Sequence, residues 1–283
     1  MNETTVVSLQ EALDARTGPT QSVSLDDLRR RQSTIPLDRC HAAFVDMSFE
    51  LKLKTQHIPV FQKLSVAFPR GRKMAVLAHA GAGSDTMLEL LQQRVAPTRG
   101  HVLIRSRISW PSHSIQFLEQ RLSVKDNVVF LAAVIGLPQQ DFLAAVTNFC
   151  QLTAKTMREP VRNLPIWARR RFAFLTLVSC NFDCHLLAQP FRPNSMNLQA
   201  DEAAHAEALL FGRDYLITIE HTRQIPANCD LAYILYNGWL YGFDDVGEAA
   251  AIFDGLPIPE GVSARPQRTE EDDDDDDPGE TIL

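Results

Sequence analysis

The residues best suited to chemistry in this 283-residue chain lie in one short loop, which follows a buried apolar run and contains two glycines. Gly81 and Gly83 precede Ser84, Asp85 and Thr86. Glycines in such a loop let backbone N–H groups approach a phosphate, and a complete phosphate-binding loop adds a lysine for the terminal phosphates and a hydroxyl for Mg²⁺. Here Ser84 stands in the place of the lysine and Asp85 in the place of the hydroxyl.

The charges at these two positions oppose phosphate binding. Unit charges about 4 Å apart interact by about 4 kcal/mol at an effective dielectric of about 20, so one lost attraction and one new repulsion reduce affinity on the order of a thousandfold or more. Two alternatives stay open. In the first, Mg²⁺ bridges Asp85 to a phosphate. In the second, one of the residues Ser84 and Asp85 caps the N-terminus of the following helix, where an anion is favoured.

Other chemical motifs are weak. Cys180 and Cys184, with His185 beside them, faintly resemble a metal site, but two of these residues fall in a predicted buried strand and no second pair exists. The five cysteines lack framework spacing, and we interpret them as reduced thiols. The sequence has no Gly-x-Ser-x-Gly elbow and no Gly-x-Gly-x-x-Gly fingerprint, and three clustered arginines do not indicate nucleic-acid binding.

The net charge of −7 comes mainly from the C-terminus. Nine of the 35 acids lie in residues 270–280, which leaves residues 1–269 with 26 acids against 28 bases, about +2. We expect residues 1–38 to form a flexible N-terminal arm and residues 258–283 a disordered acidic tail, either simply solvated or bound to a basic partner. The longest apolar run, residues 128–137, is too short to span a bilayer, and no secretory signal is recognisable.

The hydrophobic pattern between the two ends predicts strands alternating with helices. Period-two or buried runs predict strands at residues 42–53, 64–68, 74–78, 101–104, 107–110, 184–188, 215–219, 231–236 and 239–242. Helices are expected near residues 85–94, 123–136, 141–151, 167–179, 203–211 and 247–253. Asn237-Gly238 is a hairpin signal. The fold class is therefore α/β, with a mostly parallel core sheet, antiparallel β additions and an inserted helical subdomain.

This order of elements resembles the ATP-binding subunits of ATP-binding-cassette (ABC) transporters. Local sequences resemble the capsular-polysaccharide and polyol-phosphate exporter branch: Ile-Ser-Trp-Pro at residues 108–111, residues 122–130, Arg-Arg-Arg-Phe-Ala-Phe at 169–174, and the ending from Cys229-Asp230 to residue 249. The resemblance covers about residues 42–254. It implies an ABC-type P-loop NTPase domain over residues 39–257, with the helical subdomain at about 118–165.

The resemblance also assigns family positions, most of them altered here. Ala188 and Gln189 stand where the family has the Mg²⁺-binding Asp and the catalytic Glu, and neither can act as a general base. His221 falls at the family's switch His, or is a relic of it. The glutamine of another family loop aligns within residues 116–120. The family's signature, which contacts the γ-phosphate of the opposite subunit, corresponds to the signature position, Leu164, Pro165, Ile166, Trp167 and Ala168.

The resemblance implies ATP and Mg²⁺ as cofactors, with binding in doubt, and no resident metal site. We interpret the chain as a degenerate, hydrolysis-incompetent subunit of a polysaccharide export system, acting by pairing or docking. The alternatives are an active or weakly active ATPase that energises export, and a soluble scaffold or regulator. The expected partners are a polysaccharide permease, an intact ABC ATPase subunit, or both. We expect the chain neither to bind nucleic acid nor to insert into the membrane. The expected location is cytoplasmic and peripheral, on the inner face of the inner membrane.

Overall fold

The fold is taken from a computed structural model, which describes residues 39–52, 57–112, 114–188, 196–210 and 212–257. The predicted N-terminal arm and acidic tail lie outside these residues, and so does Gln189.

The described residues contain nine strands. They are β1 Cys40–Lys52, β2 His57–Pro69, β3 Lys73–Ala78, β4 Arg99–Ile104, β5 Ile108–Pro111, β6 Cys184–Ala188, β7 Tyr215–Ile219, β8 Leu231–Tyr236 and β9 Trp239–Phe243. Five of them, β3 and β6 to β9, coincide with predicted apolar runs or extend them by one residue at one end. Four of these five are parallel strands of one sheet, and a buried strand in a parallel sheet is apolar throughout.

These strands form two sheets. A six-stranded sheet has the order β5-β6-β7-β3-β8-β9, parallel from β5 to β8 with β9 antiparallel at the edge. A three-stranded antiparallel sheet has the order β2-β1-β4. The N-terminal strands therefore do not extend the parallel sheet, as an antiparallel addition would, but build a second sheet. Pro111 is tolerated in β5 because this strand is an edge of the larger sheet.

The described part of the chain contains six α-helices, which lie between and after the strands. They are α1 Ser84–Leu91, α2 Val124–Ile135, α3 Gln139–Phe149, α4 Ile166–Ser179, α5 Ala200–Ala208 and α6 Val246–Gly255. Sequence signals fix the ends of α2: the Ser123 hydroxyl accepts a hydrogen bond from the Asp126 N–H at 3.1 Å, and Gly136 ends the helix in the left-handed conformation. Helices α2 and α3 and two short 3₁₀ turns form an insertion between β5 and α4.

The central strand β3 separates two apolar clusters because alternate side chains of a strand point to opposite faces. Met74, Val76 and Ala78 pack in the cluster that contains α1 and the three-stranded sheet. Ala75 and Leu77 pack in the larger cluster, formed with the helical insertion, α4, α5 and α6. The first turn of the α1 helix is thus fixed by packing on one side of the parallel sheet.

A buried polar contact joins the two sheets. His41 of β1 is 2% exposed, and its Nε2 lies 2.8 Å from Oδ2 of Asp214, immediately before β7. The same carboxylate oxygen accepts a hydrogen bond from the Gly71 N–H at 2.6 Å. Within the described ranges, none of the helices combines the length and apolar character that crossing a bilayer requires.

Candidate functional site

The glycine-containing loop leaves the carboxyl end of β3 and leads into α1. Gly81 and Gly83 have φ values of 79° and 102°, which favour glycine, and Gly83 is the N-cap of α1. A Cβ atom built on Gly83 would lie 2.8 Å from Cγ1 of Val60 and 3.2 Å from Cζ of Phe61. Gly83 is therefore required by its conformation and by the close approach of β2. From the sequence alone, contact with phosphate is the only reason for these glycines.

The two altered positions lie in the first turn of α1. Ser84 is half-buried, and Asp85 is exposed. The hypothesis that one of them caps the helix is wrong: the N-cap is Gly83, and no side-chain hydrogen bond caps the helix. Asp85 still places a negative charge near the positive end of α1, and the half-buried hydroxyl of Thr86 follows it.

His79 is a residue of the loop to which the sequence pattern assigns no role. Its imidazole stacks on Phe253 of α6 with ring centroids 4.6 Å apart and planes at 24°. Its Nε2 is buried and has no hydrogen-bond partner among the described residues. Burial is the main cause that lowers the pKa of His79, with Glu220 opposing this effect and His221 adding to it. The sequence signal that could have identified His79 is the presence of one histidine in a loop of otherwise small residues.

The end of β6 is held by hydroxyl groups of the neighbouring strand β5 and the residue after it. The Ser109 hydroxyl accepts a hydrogen bond from the Leu186 N–H at 2.8 Å, and the Ser112 hydroxyl accepts one from the Ala188 N–H at 3.0 Å. Ala188 offers only a methyl group at this position. In the part of the chain that the structure describes, no group of three or more His, Cys, Asp or Glu residues could hold a metal ion.

The segment that aligns with the family's glutamine loop is anchored to α2. The side-chain oxygen of buried Asn127 accepts from the Glu119 N–H at 2.8 Å, and its Nδ2 donates to the Glu119 carbonyl at 3.0 Å. Gln116 is exposed, whereas the Gln120 amide donates to the Leu118 carbonyl at 3.2 Å. The assignment of a functional glutamine within residues 116–120 therefore stays a prediction.

The signature position begins α4. Pro165 is the exposed N-cap of this helix, without a side-chain cap, while Leu164 and Ala168 are buried and Ile166 is half-buried. Trp167 is also half-buried, and its ring lies 5.0 Å from Cζ of Arg171. One face of the indole is thus covered by a cation–π contact within the chain, an arrangement typical of packing.

Arg171 is a structural centre rather than part of an exposed basic trio. It is 1% exposed and donates to three backbone carbonyls, those of Phe149 at 3.0 Å, Met196 at 2.8 Å and Asn197 at 2.5 Å. It also donates to both carboxylate oxygens of Glu202, at 2.9 and 3.0 Å, and lowers the pKa of that carboxyl. Arg171 therefore ties α4 to the end of α3 and the start of α5.

The cysteine and histidine group near β6 is buried rather than arranged around a metal. Burial raises the pKa of the Cys184 thiol to about 12 and lowers the pKa of His185 to about 4. Burial also raises the pKa of Cys180. Thiols and an imidazole in such surroundings stay neutral, as expected for core packing.

The chain is similar in sequence to several bacterial ATP-binding proteins. It is 26% identical over 200 residues to the capsule polysaccharide export ATP-binding protein CtrD of Neisseria meningitidis serogroup B, covering 70% of this chain and 91% of that protein. It is 24% identical over 192 residues to the ATP-binding protein BexA of Haemophilus influenzae (67% and 87% covered), and 24% identical over 196 residues to the polysialic acid transport ATP-binding protein KpsT of Escherichia coli (68% and 89%). No model of a protein family matches the chain.

Solved structures with a similar fold are ATP-binding cassettes. The dimeric post-hydrolysis state of the cassette MJ0796 bound to ADP and Pi superposes with a TM-score of 0.58 at 16% identity, covering 72% of this chain and 98% of that one. CbiO1 of Clostridium perfringens, part of a transporter complex, gives 0.54 at 15% identity, with 75% and 91% covered. The predicted α/β fold class, an ABC-type P-loop NTPase fold, is confirmed.

Proposed function

We propose that this chain, which has the fold of ABC ATPase domains and resembles the ATP-binding subunits of polysaccharide export, is a subunit of such an export system that does not hydrolyse ATP. The coarser part of this proposal rests on the sequence similarity to the capsule and polysialic acid export proteins. The finer part, the absence of turnover, rests on the residues that line the phosphate loop and its neighbourhood.

The observation that carries the proposal is the set of side chains around the first turn of α1. Ser84 supplies no cation, exposed Asp85 supplies a repulsive charge, and Ala188 at the end of β6 supplies no ligand for Mg²⁺. ATP and Mg²⁺, which the family implies, therefore do not fit the residues present, although the glycine loop keeps its backbone form. Asp85 would be a single protein ligand for a metal ion, because the described ranges contain no group of three or more His, Cys, Asp or Glu residues that could hold one.

His79 does not replace the missing cation. Burial lowers its pKa, so its imidazole is neutral near neutral pH, and its stacking on Phe253 fixes the ring against α6. A neutral, stacked imidazole cannot supply the charge–charge attraction that a lysine gives to the terminal phosphates.

The same reasoning applies to pairing. In the family, each ATP lies between the phosphate loop of one subunit and the signature of the other. Here the phosphate loop lacks its lysine, and the signature position has Pro165, which has no N–H to donate, and the bulky Trp167. A mixed dimer with an intact subunit would therefore contain no complete site. We infer that the chain holds or slows a transporter, or docks beside a complete one, rather than powering transport.

A direct titration tests the loss of nucleotide binding. With a fluorescent ATP analogue and Mg²⁺, we expect no saturable binding to the natural chain. The double variant Ser84→Lys/Asp85→Thr should gain at least about 30-fold in affinity, because each charge change contributes about 1 kcal/mol even at the dielectric of water. Gln140→Lys/Asp141→Thr is the matched control, since it makes the same charge change in the first turn of α3. An equal gain by the control would refute the role of the loop.

Hydrolysis is tested separately by steady-state phosphate release, with the purified chain alone and in membranes that contain the export permease. We expect no turnover above that of a heat-denatured sample. Turnover that disappears in His221→Ala would contradict the proposal, because it would show that the switch position still supports chemistry. Restoring Ser84→Lys alone should recover nothing, since catalytic groups of this kind act as a unit.

The proposed partners are a polysaccharide permease and an intact ABC ATPase subunit, at the cytoplasmic face of the inner membrane. Co-purification of the tagged chain with both, from detergent-solubilised membranes, is the expected result. Recovery with neither protein would favour the scaffold or regulator instead.

A further inference from the structure

Positive charge is concentrated in the helical insertion together with the start of α4. Residues 118–170 contain seven bases and four acids, a net charge of +3, although residues 1–269 together carry only about +2. The remainder of residues 1–269 is therefore slightly acidic. This uneven distribution indicates a surface that would attract a polyanion.

Backbone pairing brings together two segments of the insertion that carry or adjoin most of these bases. Residues 120–124 run antiparallel to residues 159–162: the Arg162 N–H donates to the Gln120 carbonyl at 3.1 Å, and the Val124 N–H donates to the Glu159 carbonyl at 3.1 Å. Five exposed bases lie on these two segments or within four residues of them, and together they define the basic surface: Arg121, Lys125, Lys155, Arg158 and Arg162.

Three of the five bases of the basic surface lack ion pairs in the described part of the chain, although Glu119, Asp126 and Glu159 lie near them in the sequence. Within the described residues, Lys125, Arg158 and Arg162 form no ion pair. The neighbouring Asp126 carboxylate instead accepts a hydrogen bond from the Ser123 hydroxyl at 2.6 Å. The α4 helix begins four residues after Arg162 and has no acid in its first turn, so its N-terminus adds to the positive potential.

The chain itself contains a ligand of matching charge. Residues 270–277, the acidic run, are eight consecutive Glu and Asp residues with a charge of −8. Twelve residues separate the run from Pro257, the last described residue, and they can span up to about 40 Å. A globular domain of this size has a radius of gyration of about 17 Å. The run can therefore reach the side of the parallel sheet on which α6 packs, and the helical insertion packs in the same apolar cluster as α6.

We propose that the acidic run binds the basic surface of the same chain. Tethering favours the intramolecular contact, because it gives the run an effective concentration on the order of millimolar. The basic surface adjoins the signature position, since Arg162 lies two residues before Leu164. The bound run therefore places carboxylates beside the start of α4, whether or not the chain ever meets a transporter.

Zero-length carbodiimide cross-linking of the full-length chain tests this contact. The reagent joins carboxylates to lysines in direct contact, and Lys125 and Lys155 lie on the basic surface, whereas exposed Lys63 of β2 lies elsewhere. In dilute protein at low salt, we expect monomeric products that link the acidic run to Lys125 or Lys155 at least about fivefold more often than to Lys63. At about 1 M salt, where the Debye length is about 3 Å, these products should disappear.

Two variants sharpen the test. Arg158→Gln/Arg162→Gln should reduce the links to Lys125 and Lys155 at least about threefold, because each exposed pair contributes up to about 1 kcal/mol. The control Arg94→Gln/Arg99→Gln, which removes two exposed arginines outside the insertion, should leave them unchanged.

Three outcomes would overturn the proposal. Equal linking to Lys63 would mean unspecific attraction. Links only between an isotope-labelled and an unlabelled chain would mean contact between copies. The absence of any link to a lysine of the basic surface would mean a solvated run or an external partner.

Discussion

His185 is expected to make the folded chain sensitive to mild acid. The side chain is fully buried, and Nη1 of Arg213 approaches its Nε2 at 3.4 Å. Because a guanidinium can only donate, Nε2 must accept and the proton lies on Nδ1, which is buried without a partner among the described residues. Burial, followed by the charge of Arg213, lowers the pKa of His185 from 6.5 to about 4.

The sign and size of the effect follow from these two pKa values. The unfolded chain takes up a proton at His185 as the pH falls below 6.5, while the folded chain does not until about 4. The stability contributed by neutral His185 is therefore complete above 6.5 and is lost as the pH falls towards 4. Between about pH 7.5 and about pH 5, the free energy of unfolding should fall by about 2 kcal/mol from this group.

Urea unfolding of the natural chain and of His185→Leu, followed by circular dichroism at both pH values, measures the effect. The leucine variant removes the titrating group and the unpaired Nδ1, so its free energy of unfolding should fall by about 2 kcal/mol less over the same interval. Asp183 and Glu202, whose carboxyl pKa values are lowered by arginine partners, lose their contribution only at lower pH. Identical pH dependence in the two proteins would refute the reasoning.

Three further predictions concern stability and are checked by chemical or thermal denaturation. Arg171→Met should destabilise the fold by about 3 kcal/mol or more, because three backbone carbonyls and the Glu202 carboxylate lose their buried guanidinium donor, whereas Arg162→Met at the exposed surface should change little. Gly100→Ala should destabilise the fold much more than Gly136→Ala. Both glycines have a positive φ, which costs an alanine about 1 kcal/mol, but only at Gly100 would the new Cβ be forced against backbone atoms. Ser123→Ala should cost about 1 kcal/mol through the lost cap of α2.

Local signals were sufficient for most of the elements. Asn237 and Gly238 both have positive φ, as the hairpin turn between β8 and β9 requires, and Ser123 and Gly136 bound α2 as predicted. Apolar runs identified the strands of the parallel sheet because both faces of that sheet are covered. These features depend on residues close together in sequence, which is why pattern alone was enough.

Features that depend on distant contacts were not predictable. Helix α5 begins at Ala200 rather than near residue 203, because Gln199 and Glu202 form a capping box whose carboxylate is itself held by Arg171. The sequence could not distinguish Arg171 from its two basic neighbours, since inward orientation depends on carbonyls some 22 to 26 residues away. The stacking of His79 on Phe253 likewise joins two residues that lie far apart in the sequence of the domain.

The position of β3 at the centre of the parallel sheet bears on how the chain is made. Its two neighbours, β7 and β8, are encoded more than a hundred residues later, so β3 leaves the ribosome long before either partner exists. At a synthesis rate of about 5–20 residues per second, the interval is on the order of ten seconds. During it, the two edges of an apolar strand are unpaired and open to pairing with other nascent chains, until residue 236 has emerged.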